Sequence, residues 1–272
     1  MLKLHILNTG YCTAHEAMML RGGSSRTIAC HALVGLIQHP THGWGLWDTG
    51  YAPRMLAETE RLPYRLYRYA TPLFIQPELA AINQLARFGI TAAQIGWIVL
   101  SHFHADHVAG LRDFPQARIF ASAEGYADVR WRRGMAALQR AFIPNLLPDD
   151  FEQRAILLDE FRDPPFANLG MTHDLFGDGT LRLVQLPGHA RGQLGMIVQT
   201  DERQILLAAD GAWLRQAIRE QRPPSHLTRL FVDDFAAVET TLHKLHELSQ
   251  IMPDLAVMPT HCPEVYQQEV AR

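Results

Sequence analysis

The residues best equipped for chemistry lie in one run, Ser101-His102-Phe103-His104-Ala105-Asp106-His107. In an extended segment side chains alternate with a period of two, so His102 and His104 share a side, and a turn after them swings Asp106 and His107 towards a second centre. Neutral imidazole and carboxylate suit zinc first, and iron or manganese as well, so the run reads as four metal ligands within six residues. Leaving such groups buried with nothing bound would cost on the order of a few kcal/mol each. Three further candidates directly follow apolar runs: His189 in LPGHARGQ, Asp210 in LLAADGAW and His261 in VMPTHC. If the strands point one end at a common cleft, His102, His104 and His189 form one site, Asp106, His107 and His261 form another, and Asp210 bridges them. Two divalent ions about 3.5–4 Å apart would share a water, lower its pKa towards 7 and present a bridging hydroxide to carbon or phosphorus. Asp106 or Asp210 would relay the proton, with no serine or cysteine nucleophile required. The other nine histidines, His5, His15, His31, His39, His42, His173, His226, His243 and His246, stand alone and read as surface or satisfied core residues.

The elements that must position these groups alternate in an α/β manner. LKLHIL, TIACHALVGLIQH and GWGLWDTG read as strands. Residues 51–69, broken by Pro53 and Pro63, read as loop with short helical pieces, whose YRLYRYA core either covers a pocket or forms a solvated face. Leu79, Ile82, Leu85, Ala86 and Phe88 recur at helical spacing over 76–88, Gly89 ends that helix, and Thr91 caps a short turn over AAQI. The apolar run Trp97 to Leu100 stops abruptly at polar residues, as a buried strand does when it delivers side chains from its carboxyl end. After VAGLRDFP and the strand ARIFAS, residues of about 123–165 are irregular, with helical stretches around 124–142 and four prolines beyond them, and read as a capping insertion. Strands resume with GTLRLVQLPGH, LGMIVQT and QILLAADGAW. A helix over 234–249 buries Phe235, Val238, Leu242, Leu245 and Leu248, and LAVMPTHC is the last strand.

With 272 residues, 47% of them hydrophobic, the chain can bury a large core as a single domain over 1–272. A net charge of −3 gives no general attraction to nucleic acid or anionic lipid, so the expected partner is a small molecule. The amino terminus is too short in apolar residues for a signal peptide, and no segment reaches the roughly 20 apolar residues of a membrane span. Cys12, Cys30 and Cys262 are odd in number and without CxxC spacing, which speaks for a reducing cytoplasm.

The order HxHxDH, then His, Asp and His, resembles the metallo-β-lactamase superfamily of hydrolases, and WDTG at 47–50 and GHARGQLG support the match. The resemblance covers about residues 2–262 and implies a four-layered αββα sandwich with a dinuclear site at one edge of two sheets. It also makes Asp48 an acceptor that orients a ligand histidine and leaves it outside the metal-binding set. Within the superfamily the chain is most similar to the N-acyl homoserine lactone lactonases, which implies opening of a small lactone ring. It departs from them at Trp213, where those enzymes typically carry a tyrosine, and an indole offers one N–H in another direction.

For the substrate pocket the sequence offers Trp213, Arg191 and an apolar wall of Trp131, Met135, Leu138, Phe142 and Phe74, while a packed cap is the plainer use of the same apolar residues. Other activities of the fold stay open: a thioesterase of the glyoxalase II type, a phosphodiesterase, or a non-catalytic ligand-binding protein. A homodimer is natural if the 51–75 or 124–147 segments leave apolar surface exposed.

Overall fold

The computed structural model describes residues 2–271. Seven strands form one mixed sheet: β1 (Lys3–His15), β2 (Thr27–His39), β3 (Gly43–Trp47), β4 (Leu73–Phe74), β5 (Ile95–Val99), β6 (Arg118–Ser122) and β7 (Ala155–Leu158), in spatial order β4-β1-β2-β3-β5-β6-β7. The first three pair antiparallel, whereas β3, β5, β6 and β7 run parallel. Five more strands form the second sheet: β8 (Thr172–Asp174), β9 (Leu181–Gln185), β10 (Leu194–Gln199), β11 (Gln204–Ala209) and β12 (Ala256–Pro259), in order β12-β11-β10-β9-β8.

Strand alternation explains the layering. In β2, Leu33 and Ile37 join the core between the sheets, while Val34 and Leu36 face the helices on the other side. In β11 the same split puts Ile205 and Leu207 between the sheets and Leu206 and Ala208 against the helices Arg215–Glu220 and Phe235–Ile251. Three apolar layers between two sheets and two sets of helices make the expected αββα sandwich. Trp97 crosses Gly45 so closely that a Cβ there would meet the indole at 2.1 Å, which is why a glycine sits in the middle of β3.

Several elements differ from the sequence-based expectation. The helix expected over 76–88 is three short pieces, Pro77–Leu79, Ala81–Gln84 and Leu85–Phe88: Ala80, with ψ of 137°, separates the first from the second, and the third continues the second as a tighter turn. Thr91 and Gln94 do form a capping box, and Asp234 caps the helix Phe235–Ile251 through the N–H groups of Ala236 and Ala237. The segment 123–165 holds the helices Ala123–Val129, Gly134–Leu138 and Phe151–Arg154, but residues 155–158 return to the sheet as β7 beside β6. No helix among the described residues is long and apolar enough to cross a membrane.

Candidate metal centre

Both sheets end at the same edge, and the loops that leave them carry the candidate ligands. After β5 the chain turns through residues 100–104 into the helix Ala105–Val108, held by hydrogen bonds from Ala105 N to Ala141 O at 2.9 Å and from Thr49 N to His107 O at 2.9 Å. Ser101 O accepts from Leu194 N at 2.9 Å, tying this turn to the second sheet. His189 follows Gly188, whose φ of +128° and 2.3 Å approach of a notional Cβ to Val238 N leave room only for glycine. Asp210 and His261 sit just past the ends of the parallel neighbours β11 and β12.

All seven predicted metal-binding side chains are buried together. Ligand atoms of His102, His104 and His189 lie within 4.8 Å of one another, as do those of Asp106, His107 and His261, and those of His102, His107 and Asp210. His189 Nε2 stands 2.9 Å from His104 Nδ1 and 3.2 Å from Asp210 Oδ2. His261 Nε2 is 3.1 Å from the same Asp210 oxygen and 3.4 Å from Asp106 Oδ2. His107 Nε2 faces Asp210 Oδ1 at 3.4 Å, yet both atoms, with His102 Nε2, are buried without a hydrogen bond. Buried imidazole nitrogens and carboxylate oxygens that converge in this way suit divalent cations once the ring protons are displaced, so the donor set fits two metal ions.

Around this set several outward atoms have their own partners, although His189 Nδ1 is buried without one. Asp48 Oδ2 accepts from His107 Nδ1 at 2.7 Å, and its carboxylate also takes the Ser101 N–H and hydroxyl, each at 2.7 Å. His261 Nδ1 donates to the His31 carbonyl at 2.7 Å. Trp213 Nε1 donates to Asp210 Oδ2 at 3.0 Å, and its ring stands edge-on to His189. Tyr67, from the helix Arg65–Ala70, reaches Asp106 Oδ1 at 3.3 Å. Sequence reasoning missed Tyr67 and the His31 carbonyl. Tyr64 and Tyr67 lie three residues apart, one helical turn, and that spacing was the available signal for a buried tyrosine face. His39, His42 and Asp178 also gather, but His39 Nδ1 accepts the Thr41 and His42 N–H groups and its Nε2 meets Asp178 at 3.0 Å, so this cluster closes a turn.

Two clefts meet at His189. One is bounded by Met19, Trp213, Pro224, Val232, Val238 and Leu242 above Asp210 and His189 and is partly open to solvent. The other is lined by Phe103, His104, Arg140, Arg191, Phe231 and Asp233 among others. Arg191 does not offer a free charge there, since it pairs with Asp233 at 3.0 Å and Glu124 at 3.3 Å. Neither cleft is walled by Met135, which is exposed on the helix Gly134–Leu138, or by Phe142, which is 1% exposed in the core. Phe142 goes inward because its own N–H bonds back to Ala137 O and turns the chain under the helix.

Charge is distributed unevenly across the centre. Burial, reinforced by neighbouring imidazoles, holds His102 and His104 well below the usual histidine pKa, and burial lowers His189. Burial opposes protonation of His107 and His261 too, but the Asp48 and Asp106 carboxylates raise the first well above its ordinary value and Asp210 raises the second to about 9. Without metal, then, protons on His107 and His261 balance the carboxylates at pH 7. Metal uptake by Asp106, His107 and His261 must displace those protons, so its affinity should rise with pH towards about 9, while uptake by His102, His104 and His189 should be flat across neutrality. Calorimetry in buffers of different ionisation enthalpy measures this, and uptake of both ions without proton release would refute it.

The Metallo-beta-lactamase superfamily model matches residues 27–261, and the chain belongs to that superfamily. It is a metal-dependent hydrolase. A probable metallo-hydrolase of Mycobacterium tuberculosis is 28% identical over 98% of this chain and 82% of its own length. The N-acyl homoserine lactonase AttM of Azorhizobium caulinodans is 26% identical over 97% of this chain and 95% of its own. Among solved structures, an N-acyl homoserine lactone hydrolase with N-hexanoyl-L-homoserine at its catalytic metal centre superposes with a TM-score of 0.74 at 15% identity, covering 98% of this chain and 95% of that one. Within the superfamily the resemblance is thus to the lactonase group.

Proposed function

We propose that the protein opens a small lactone ring, of the N-acyl homoserine lactone kind, on a dinuclear zinc centre in the cytoplasm. The observation that carries this reading is the apolar cleft of Met19, Trp213, Pro224, Val232, Val238 and Leu242 opening directly onto Asp210 and His189. An acyl chain fills such a wall, and the ester carbonyl then lies over the polar floor. The relatives named as lactonases support the ring chemistry, and three buried, unbridged cysteines support a reducing compartment.

In this reading His102, His104 and His189 hold one ion, Asp106, His107 and His261 hold the other, and Asp210 is shared. When bound, the pair supplies a nucleophilic water at neutral pH and polarises the ester carbonyl. The chain does the rest. Asp106 and Asp210 are the carboxylates that accept the proton released on attack and return it to the leaving alkoxide. Asp48 keeps the His107 proton on Nδ1, leaving Nε2 free to face the centre. The Trp213 N–H is engaged by Asp210 and does not donate to substrate, so the apolar wall sets substrate orientation.

With the zinc-loaded protein, kcat/KM for N-acyl homoserine lactones is expected to exceed that for a thioester and for bis(p-nitrophenyl) phosphate by at least about tenfold. Each added acyl CH₂ should raise it about fourfold until the cleft is full, from roughly 0.8 kcal/mol per buried methylene. Faster turnover of the thioester or the phosphodiester would overturn the assignment.

A further inference from the structure

We infer that Tyr67 is a positioning residue that fixes Asp106 for the second metal ion alone, a role that rests on the dinuclear reading above. Asp106 Oδ2 is directed at His261 Nε2, 3.4 Å away, so this oxygen faces the centre. Its other oxygen, Oδ1, is turned outward and takes the Tyr67 hydroxyl at 3.3 Å. Both side chains are buried, and the Tyr67 backbone is anchored by the Thr71 N–H and hydroxyl, each 2.8 Å from Tyr67 O. The hydroxyl therefore arrives from a short, pinned helix and selects one rotamer of the carboxylate. Asp106 belongs to the group with His107 and His261 and to neither of the other two convergent groups. Losing its anchor should loosen one ion and spare the other.

Trp213 does the corresponding work for Asp210, whose carboxylate touches His107, His189 and His261 and so both groups. The two carboxylates thus have separate donors with different reach. Tyr64, one helical turn before Tyr67, supplies a control. Its hydroxyl accepts from Gly134 N at 3.1 Å.

The test is a titration of metal-free protein with Zn²⁺ or Co²⁺, read by calorimetry and, for cobalt, by the visible absorption of each site. The wild type is expected to take up about two ions per chain in two resolvable steps. Tyr67→Phe should weaken one step by about 10- to 100-fold, the scale on which partners of metal ligands act, and leave the other unchanged. Trp213→Phe should weaken both, and Tyr64→Phe neither. In an Asp106→Ala background, which has no acceptor for the hydroxyl, Tyr67→Phe should have no further effect, which keeps the test open if the single variant is unstable. Tyr67→Phe with both steps intact, or Tyr64→Phe weakening the same step equally, would overturn the assignment of Tyr67. A wild type that takes up no metal would instead overturn the dinuclear reading, and the role of Tyr67 with it.

Discussion

Replacing Asp210 with alanine is expected to reduce bound metal from about two ions per chain to one or fewer and to lower kcat/KM by at least about 10³-fold. Asp210 Oδ1 meets His107, while Oδ2 meets His189, His261 and the Trp213 N–H, so one carboxylate touches residues of both candidate sites. Its loss removes a negative charge from among five imidazoles. Burial would raise the Asp210 pKa, but the charges of His261 and His189 hold it well below the ordinary range, and it stays ionised across neutrality. Alanine would therefore leave His261 without the main group that raises its pKa, and the Trp213 N–H without an acceptor, costing about 1–3 kcal/mol of stability. Metal analysis by mass spectrometry, kinetics and a thermal melt separate these effects. A variant that retained both ions and near-normal kcat/KM would show that Asp210 is not shared between them.

Much of this candidate centre was legible in the sequence because residues able to hold a metal stand out by type at strand ends. His102 to His107, His189, Asp210 and His261 all follow apolar runs that are β5, β9, β11 and β12, so finding the strands was enough to bring these candidates to one edge. The sandwich was legible for a related reason. Long strands such as Thr27–His39 carry two apolar faces, and only burial on both sides accounts for them. What the sequence concealed depended on contacts between distant segments. Tyr67 sits in an Arg- and Tyr-rich stretch that reads more readily as a solvated surface than as a pocket cover, and only the packed fold brings its hydroxyl to Asp106, 39 residues away. Phe142 failed as a pocket residue for the converse reason. An aromatic residue in a cap has no sequence mark that tells an inward turn from an outward one. Arg191 was readable as a substrate-pocket residue only while Asp233 and Glu124, from two other segments, were unplaced.

Asp48 should separate folding from metal binding when it is changed in two ways. It is wholly buried, with a φ of +57°, and accepts three hydrogen bonds at 2.7 Å, from the Ser101 N–H, the Ser101 hydroxyl and His107 Nδ1. Asp48→Ala strands those donors and puts a Cβ-bearing residue without a local hydrogen bond in left-handed backbone, for an expected loss of about 3–5 kcal/mol. Much of the protein should then unfold or aggregate before its activity can be measured. Asp48→Asn keeps the size, tolerates the backbone conformation and still offers one carbonyl to the Ser101 N–H. The amide NH₂ then faces His107 and the serine hydroxyl. Since NH₂ only donates, His107 Nδ1 must become an acceptor, and the ring proton moves to Nε2, the atom that faces Asp106 and Asp210. This is the wrong tautomer for a metal ligand. Asp48→Asn should fold with a melting temperature near that of the wild type, bind one ion about 10- to 100-fold more weakly, and lose at least about 100-fold in kcat/KM. Unchanged metal affinity in this variant would show that Asp48 supports the fold through Ser101 without controlling His107, and equal instability in both variants would place its whole contribution in the packing of the β5 turn.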